Sequence, residues 1–281
     1  MDKPGAATNI FSTFSQGVSG STQFLQSNTI VAKLGFLILV IILFIVMLVL
    51  GMMLITYFTS PSKDPYLIHG MVEGSTTKTI TQDPNNSKSI PILRSNNEIE
   101  GLEFTWSFWI YIESLPDTVS EGKPNTKKQG IFSKGDGKVN NGPGVYLGTD
   151  MSNATLQIIM DTVVSGDTNN TIKINNIPLK NWVHVAIRCE QTTLDVYVNG
   201  VIASRLTLSN LPKQNYNDVI IAPQGGFNGK LSNLRYYSHA LNIFEINYVV
   251  YGGPNKSLIS STRSSGSGAS YLSRNWYSSN V

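Results

Sequence analysis

The sequence predicts an all-β protein, a two-sheet antiparallel sandwich, preceded by one membrane-spanning helix. Three observations lead there. From Leu34 to Phe58, 25 consecutive residues carry no charge. The central region then alternates apolar and polar residues at period two, with turn residues between the runs. Finally, only 14% of the 281 residues are charged, against about 25% in an ordinary soluble domain. Uncharged polar residues fill the gap, with 31 Ser, 22 Thr and 26 Asn. That composition argues against a coiled coil, and a net charge of +3 argues against a dedicated nucleic-acid binder. The single cysteine, Cys189, excludes an intrachain disulfide framework and a multi-cysteine zinc site.

Residues 1–33 are polar, with Phe11, Phe14 and Phe24 scattered among Ser, Thr, Gln and Gly. They cannot build a core alone, so these apolar residues point to a partner or a membrane surface. Residues 34–58 read as the span, because 25 helical residues exceed the roughly 30 Å hydrocarbon core. Lys33 and Lys63 bracket it, and Tyr57 and Phe58 suit an interface. The thirty-three preceding residues argue against a cleaved signal peptide. Lys63 and Lys78 after the span, against Lys33 before it, and the lack of disulfide capacity favour a cytosolic C-terminal region. Residues 59–98, with Pro61, Pro65, Pro84 and Pro91, read as an extended connector. Residues 99–255 form the expected sandwich. Residues 256–281 are a Ser-rich basic tail, which carries the whole net charge because the first 255 residues balance. In it, Tyr271, Leu272, Trp276 and Tyr277 are candidate partner-binding anchors.

Within the sandwich, Phe104, Trp106, Phe108, Ile110 and Ile112 share one face of a strand. Val183, Val185, Ile187 and Cys189 do the same, as do Leu194, Val196 and Val198. A turn at Glu190–Thr193 would pair Cys189 with Leu194, Ile187 with Val196 and Arg188 with Asp195. Hydrophobic and charge patterns agree on that register. Asn199-Gly200 is a strong hairpin signal, since both residues tolerate positive φ. Further strands are expected near 130–134, 145–148, 156–161, 171–174, 219–222 and 229–237. Cys189, on the apolar face, reads as a small buried hydrophobe.

Three stretches carry a resemblance. These are Trp182-Val183-His184-Val185-Ala186 with Leu194 to Gly200, then Phe227-Asn228-Gly229-Lys230-Leu231 through Tyr237 with Ala240-Leu241 and Glu245-Ile246, and Phe104 to Trp109. Taken in chain order, as early core strand, central hairpin and closing strand, they resemble the concanavalin A-like, laminin-G-like jelly rolls. The layout as a whole, with Pro65 to Met71 and Ile90 to Ser95 after the span, is similar to membrane-anchored proteins of large nucleocytoplasmic DNA viruses. That resemblance implies a minor capsid or virion membrane protein in the virion's internal membrane. Its sandwich would face the shell on the cytosolic-origin side, with the lipid bilayer and other capsid or membrane proteins as partners.

The family includes glycosidases, which need two carboxylates flanking the scissile bond. The nearest match to their Glu-x-Asp-x-x-Glu pattern, Glu98, Glu100 and Glu103, lacks the central Asp, so no catalysis is expected. His69, His184 and His239 lack triad or metal-ligand spacing. Calcium, common at the rim of such domains, would fall to Asp136, Asn140, Asn141 and Asp150, but without the EF-hand pattern the expectation is a plain loop and no cofactor. Trp109 and Tyr111 face away from the core and are the candidate ligand-binding residues, either for a glycan or for protein, unless a flanking segment covers them. The expected role is a non-catalytic structural protein; the alternative is a lectin-like attachment protein.

Overall fold

The computed structural model describes residues 30–86, 88–95, 97–98, 101–115, 128–136, 140–150, 153–164 and 166–259. The candidate anchors Tyr271, Leu272, Trp276 and Tyr277, and Phe11, Phe14 and Phe24, lie outside the described residues.

Helix α1 runs from Ile30 to Thr59 and is long and apolar enough to cross a membrane. Its 30 residues span about 45 Å. A helix satisfies all its backbone groups internally, which is what an apolar segment needs in lipid. At its end the hydroxyls of Thr56, Thr59 and Ser60 donate back to carbonyls four residues earlier, and Pro61 follows.

The sandwich contains β1 (Met71–Glu73), β2 (Lys78–Ile80), β3 (Asn97–Glu98), β4 (Gly101–Ile112), β5 (Gln129–Gly135), β6 (Asn141–Asp150) and β7 (Asn153–Ile159). It continues with β8 (Thr171–Ile177), β9 (Trp182–Glu190), β10 (Thr193–Val198), β11 (Val201–Thr207), β12 (Val219–Ile221) and β13 (Gly229–Tyr237). A short helix, α2 (Ile243–Gly252), follows. One sheet has the order β1-β13-β4-β9-β10-β11, with β3 beside β4; the other has β2-β12-β5-β6-β7-β8. Every ladder among the described residues is antiparallel. This is the two-sheet jelly-roll architecture that the strand pattern predicts.

The register agrees with the sequence to the residue: Leu194 faces Cys189, Asp195 faces Arg188 and Val196 faces Ile187. Gln191 turns the β9–β10 hairpin at φ 54, and Asn199 and Gly200 turn the next one at φ 50 and 83. Trp106, Phe108, Ile110 and Ile112 of β4 are buried against Ile131, Phe132, Val145, Leu147, Leu156 and Ile158 of the other sheet. Phe132 fills the space between Trp106 and Phe108, with ring centroids 5.4 and 5.1 Å away. Cys189 is fully buried, and burial pushes its thiol pKa up to about 12.

The structure differs from the expectation between 59 and 98. That segment is not merely an extended connector: β1 pairs with β13 and β2 with β12, and Leu67 and Ile68 are buried in the core. Strands of three residues are too short to display alternation, and adjacent Leu67 and Ile68 do not alternate at all. The backbone N–H groups of both donate to the carbonyl of Leu234, at 2.9 and 3.1 Å. The partner strand across the Asn199-Gly200 turn is β11, an edge strand whose residues are mostly exposed.

Candidate functional site

Each strand of the larger sheet turns one set of side chains to the core and the other outward. The outward set on β4 and β9 includes Ser107, Trp109, Tyr111, Trp182, His184 and Ala186. A bare outer face would leave these in water, yet Trp109 is only 7% exposed and His184 is fully buried. Two segments cover part of this face. One is α2, whose Ile246 is buried with Leu241 against Ala186 and Tyr237. The other is the stretch from Asp64 to Tyr66, which lies along β13.

The start of α2 is fixed by its sequence. Asn242 accepts from the N–H groups of Phe244 and Glu245, while the Glu245 carboxylate accepts from the N–H of Asn242, a reciprocal cap. The covering stretch is fixed through Arg235. Its guanidinium lies between the rings of Tyr66 and Tyr237, 4.3 and 4.6 Å from their centroids. It also donates to the Asp64 carbonyl at 3.1 Å. The Asp64 carboxylate accepts from the Ser238 N–H at 2.9 Å and from its hydroxyl at 3.3 Å.

Between these covers an open cleft of about 680 Å³ remains. Its floor holds Trp109, Ser107 and Asn233; Arg235 and Tyr66 line one part of it, and Phe244 and Tyr248 another. Phe244 and Tyr248, one helical turn apart, are 81% and 80% exposed. His239 sits between two carboxylates, 3.9 Å from Asp64 and 3.8 Å from Glu245. At the floor, His184 Nε2 and the Ser107 hydroxyl are hydrogen-bonded at 2.9 Å, and the imidazole meets Trp109 edge-on at 5.1 Å. Burial alone lowers the His184 pKa to about 4, so the ring is neutral. Trp109 Nε1, His184 Nδ1 and Asn233 Oδ1 are buried without a hydrogen-bond partner among the described residues.

Of the sequence-based candidates, Trp109 is a floor residue rather than an exposed platform, because α2 and its flanking segments enclose that part of the face. Tyr111 is half-buried, its ring 5.5 Å from that of Trp182. Glu103 accepts from the Ala240 N–H at 3.5 Å, while Glu100 and the side chain of Glu98 lie outside the described residues. In the loop weighed for calcium, both Asp136 oxygens accept from Asn140, and Asn141 Oδ1 accepts from the Tyr146 hydroxyl. The Asp150 side chain lies outside the described residues. Among the described residues no cluster of three His, Cys, Asp or Glu is placed to hold a metal. Sequence reasoning missed Asp64, Tyr66, Arg235, Phe244 and Tyr248. The spacing Asn242-x-x-Glu245, which suits a capping box, is the sequence signal that could have placed a helix here.

Residues 85–247 match the family model described as the concanavalin A-like lectin/glucanases superfamily. No curated protein sequence matches the chain. Among solved structures, the chain is similar to the botulinum neurotoxin serotype D binding domain, at 12% identity and a TM-score of 0.42 over 67% of this chain and 52% of that one. It is also similar to the binding domain of Paraclostridial Mosquitocidal Protein 1, at 17% identity and a TM-score of 0.40 over 66% and 47%. A third is the receptor binding domain of the botulinum neurotoxin C/D mosaic serotype, at 12% identity and 0.40 over 54% and 36%. The chain thus spans between 36% and 52% of the length of these three.

Proposed function

Because this chain belongs to the concanavalin A-like lectin/glucanases superfamily, we propose that it is a non-catalytic binding protein, anchored in a membrane by α1, whose cleft holds a partner protein. The cleft beside α2 carries this reading. Phe244 and Tyr248 stand exposed beside a fixed Arg235–tyrosine stack, and aromatic and Arg side chains dominate protein interfaces. Both cleft carboxylates already hold backbone N–H groups, Asp64 that of Ser238 and Glu245 that of Asn242. This supports a binding role over hydrolysis, which needs one carboxyl free as acid and one as base or nucleophile.

The resemblance of the layout to viral membrane-anchored proteins supports a finer assignment: a minor capsid or virion membrane protein that links the internal membrane to the shell. The lysines after the span and the absence of disulfide capacity support a sandwich on the cytosolic-origin side. Trp109 then supports the cleft floor rather than meeting the partner directly, Tyr111 packs beside Trp182 outside the cleft, and Tyr271, Leu272, Trp276 and Tyr277 in the tail provide a second contact. No cofactor is needed for this role.

A second reading, lectin-like attachment, is favoured by one observation. The cleft presents the exposed rings of Phe244 and Tyr248 beside the polar groups of Asp64, Arg235 and His239, an arrangement that suits a sugar stacked on an aromatic face. Replacing Phe244 and Tyr248 together by Ala in the full chain should leave membrane insertion intact and reduce incorporation into particles. Normal incorporation of that variant would remove the protein-partner reading. Specific binding of the full-length protein on a glycan array, lost in Tyr248→Ala, would establish the lectin reading instead.

A further inference from the structure

A second, smaller cavity of about 70 Å³ opens at the margin between the two sheets. Phe104, Trp106 and Tyr236 of the larger sheet form its apolar part, and Arg94, Lys134 and Lys213 bring three cations to it. Among the described residues no carboxylate lines it. The first 255 residues carry as many acids as bases, so this cluster is not the overflow of a basic domain. Lys134 is only 6% exposed, and among the described residues the acceptor for its ammonium is the backbone carbonyl of Asn217. The ion pairs within 4 Å among the described residues include none of the three cations.

Two acids, Asp218 and Asp161, act on Lys134 and Lys213 through charge, but neither pairs with them within 4 Å and each also holds a backbone N–H group. Asp218 accepts from the Gln82 N–H at 2.9 Å, and Asp161 accepts from the Asn141 N–H at 2.7 Å. Burial lowers the Lys134 pKa to about 8, with Asp218 the charge that opposes the fall. A buried ammonium whose partner is a neutral carbonyl is costly to hold, and an anion beside it would offset that cost.

We propose that this cavity binds a single oxyanion group (a carboxylate, sulfate or phosphate), with Lys134 as the buried charge and Arg94 and Lys213 closing over it from the rim. The space suits such a group. It exceeds what one water needs and is far smaller than the roughly 300 Å³ at which pockets for whole small molecules begin. Arg94 offers a planar fork for two oxygens and Lys213 a mobile point charge. The site is independent of the α2 cleft and of the role assigned to it.

The test uses the full chain in detergent micelles. Thermal unfolding is followed while acetate, sulfate or phosphate replaces chloride at constant ionic strength. A bound anion raises the midpoint along a saturating curve, whereas general salt exclusion raises it without saturation. A saturating rise is expected with at least one of the three anions. Arg94 and Lys213 are exposed, so R94Q/K213Q keeps the fold and should weaken the apparent affinity at least about tenfold. K134M should abolish the saturating response while the protein still unfolds cooperatively. Saturation with acetate assigns a carboxylate group, and saturation with sulfate and phosphate alone assigns a tetrahedral one. A response without saturation, no response, or saturation unchanged in R94Q/K213Q overturns the proposal.

Discussion

The two faces of strand β9 are both buried over its middle, yet they are built from different chemistry. Val183, Val185, Ile187 and Cys189 meet the other sheet through apolar contact alone. On the opposite side, His184 meets Ser107 and Trp109, Ala186 meets α2, and Arg188 meets Asp195, Glu190 and the Leu241 carbonyl. The inner face is a matter of volume, which hydrophobic residues of similar size can fill. The outer face is a matter of partners, each specific and several supplied by distant parts of the chain. The first face specifies the fold; the second leaves a cleft.

Truncation on the inner face should be most damaging. Trp106→Ala removes a fully buried ring packed on Phe132 and Tyr236, and should cost about 3–5 kcal/mol by denaturant unfolding of the detergent-solubilised protein. A cost below about 1 kcal/mol would mean that the inner face is not the main source of stability.

The outer face should instead respond to pH. His184 is neutral in the fold with a pKa near 4, against about 6.5 in the unfolded chain. Above pH 6.5 neither state binds the proton. Between 6.5 and 4 the unfolded chain takes up a proton that the fold excludes, so stability falls as pH falls. His184→Gln should remove about 3 kcal/mol of the loss between pH 7 and 4. Identical pH profiles for the two proteins would contradict the burial described for this ring.

Asp195 sharpens the comparison at an intermediate scale. Its buried carboxylate takes two hydrogen bonds from Arg205, at 2.6 and 2.9 Å, and one from Arg188 at 3.4 Å. Asp195→Asn should cost about 2 kcal/mol, less than an isolated buried pair, because the Arg205 side chain is 61% exposed and can turn to water. Equilibrium unfolding at pH 7 measures it. The smallest effect belongs to the cleft rim: Phe244→Ala and Tyr248→Ala should each change stability by no more than about 0.5 kcal/mol, since both rings already face solvent. A larger loss would mean that they support the fold rather than a partner.

This division explains what could be read in the sequence. Period-two alternation and the Arg188–Asp195 pair report on a strand and its immediate neighbour, so the β9–β10 register was legible. The covers of the outer face were not. Leu67 and Ile68 are adjacent rather than alternating, and Asp64 and Tyr66 gain meaning only once β13 brings Arg235 beside them. In α2, apolar residues occur almost all round, because Ile246 packs on the sheet while Phe244, Tyr248 and Tyr251 are exposed. Such a helix shows no clear apolar stripe. The outward direction of Trp109 and Tyr111 followed from alternation; the depth at which Trp109 lies did not.

The Arg235 stack has a mechanical side. Four residues separate the last helical residue, Thr59, from Asp64, the first residue hydrogen-bonded to β13. Tension carried along the chain from the hydrophobic helix therefore reaches Asp64 and Tyr66 before any strand of the sandwich. It must strip the Ser238 and Arg235 hydrogen bonds and pull Tyr66 off the guanidinium before it loads β1. In single-molecule pulling from residue 60, Arg235→Ala should lower the first yield force and leave the later rupture of the sheets unchanged. The clamp is the fuse of the tether: it gives way first, and the sandwich behind it keeps its shape.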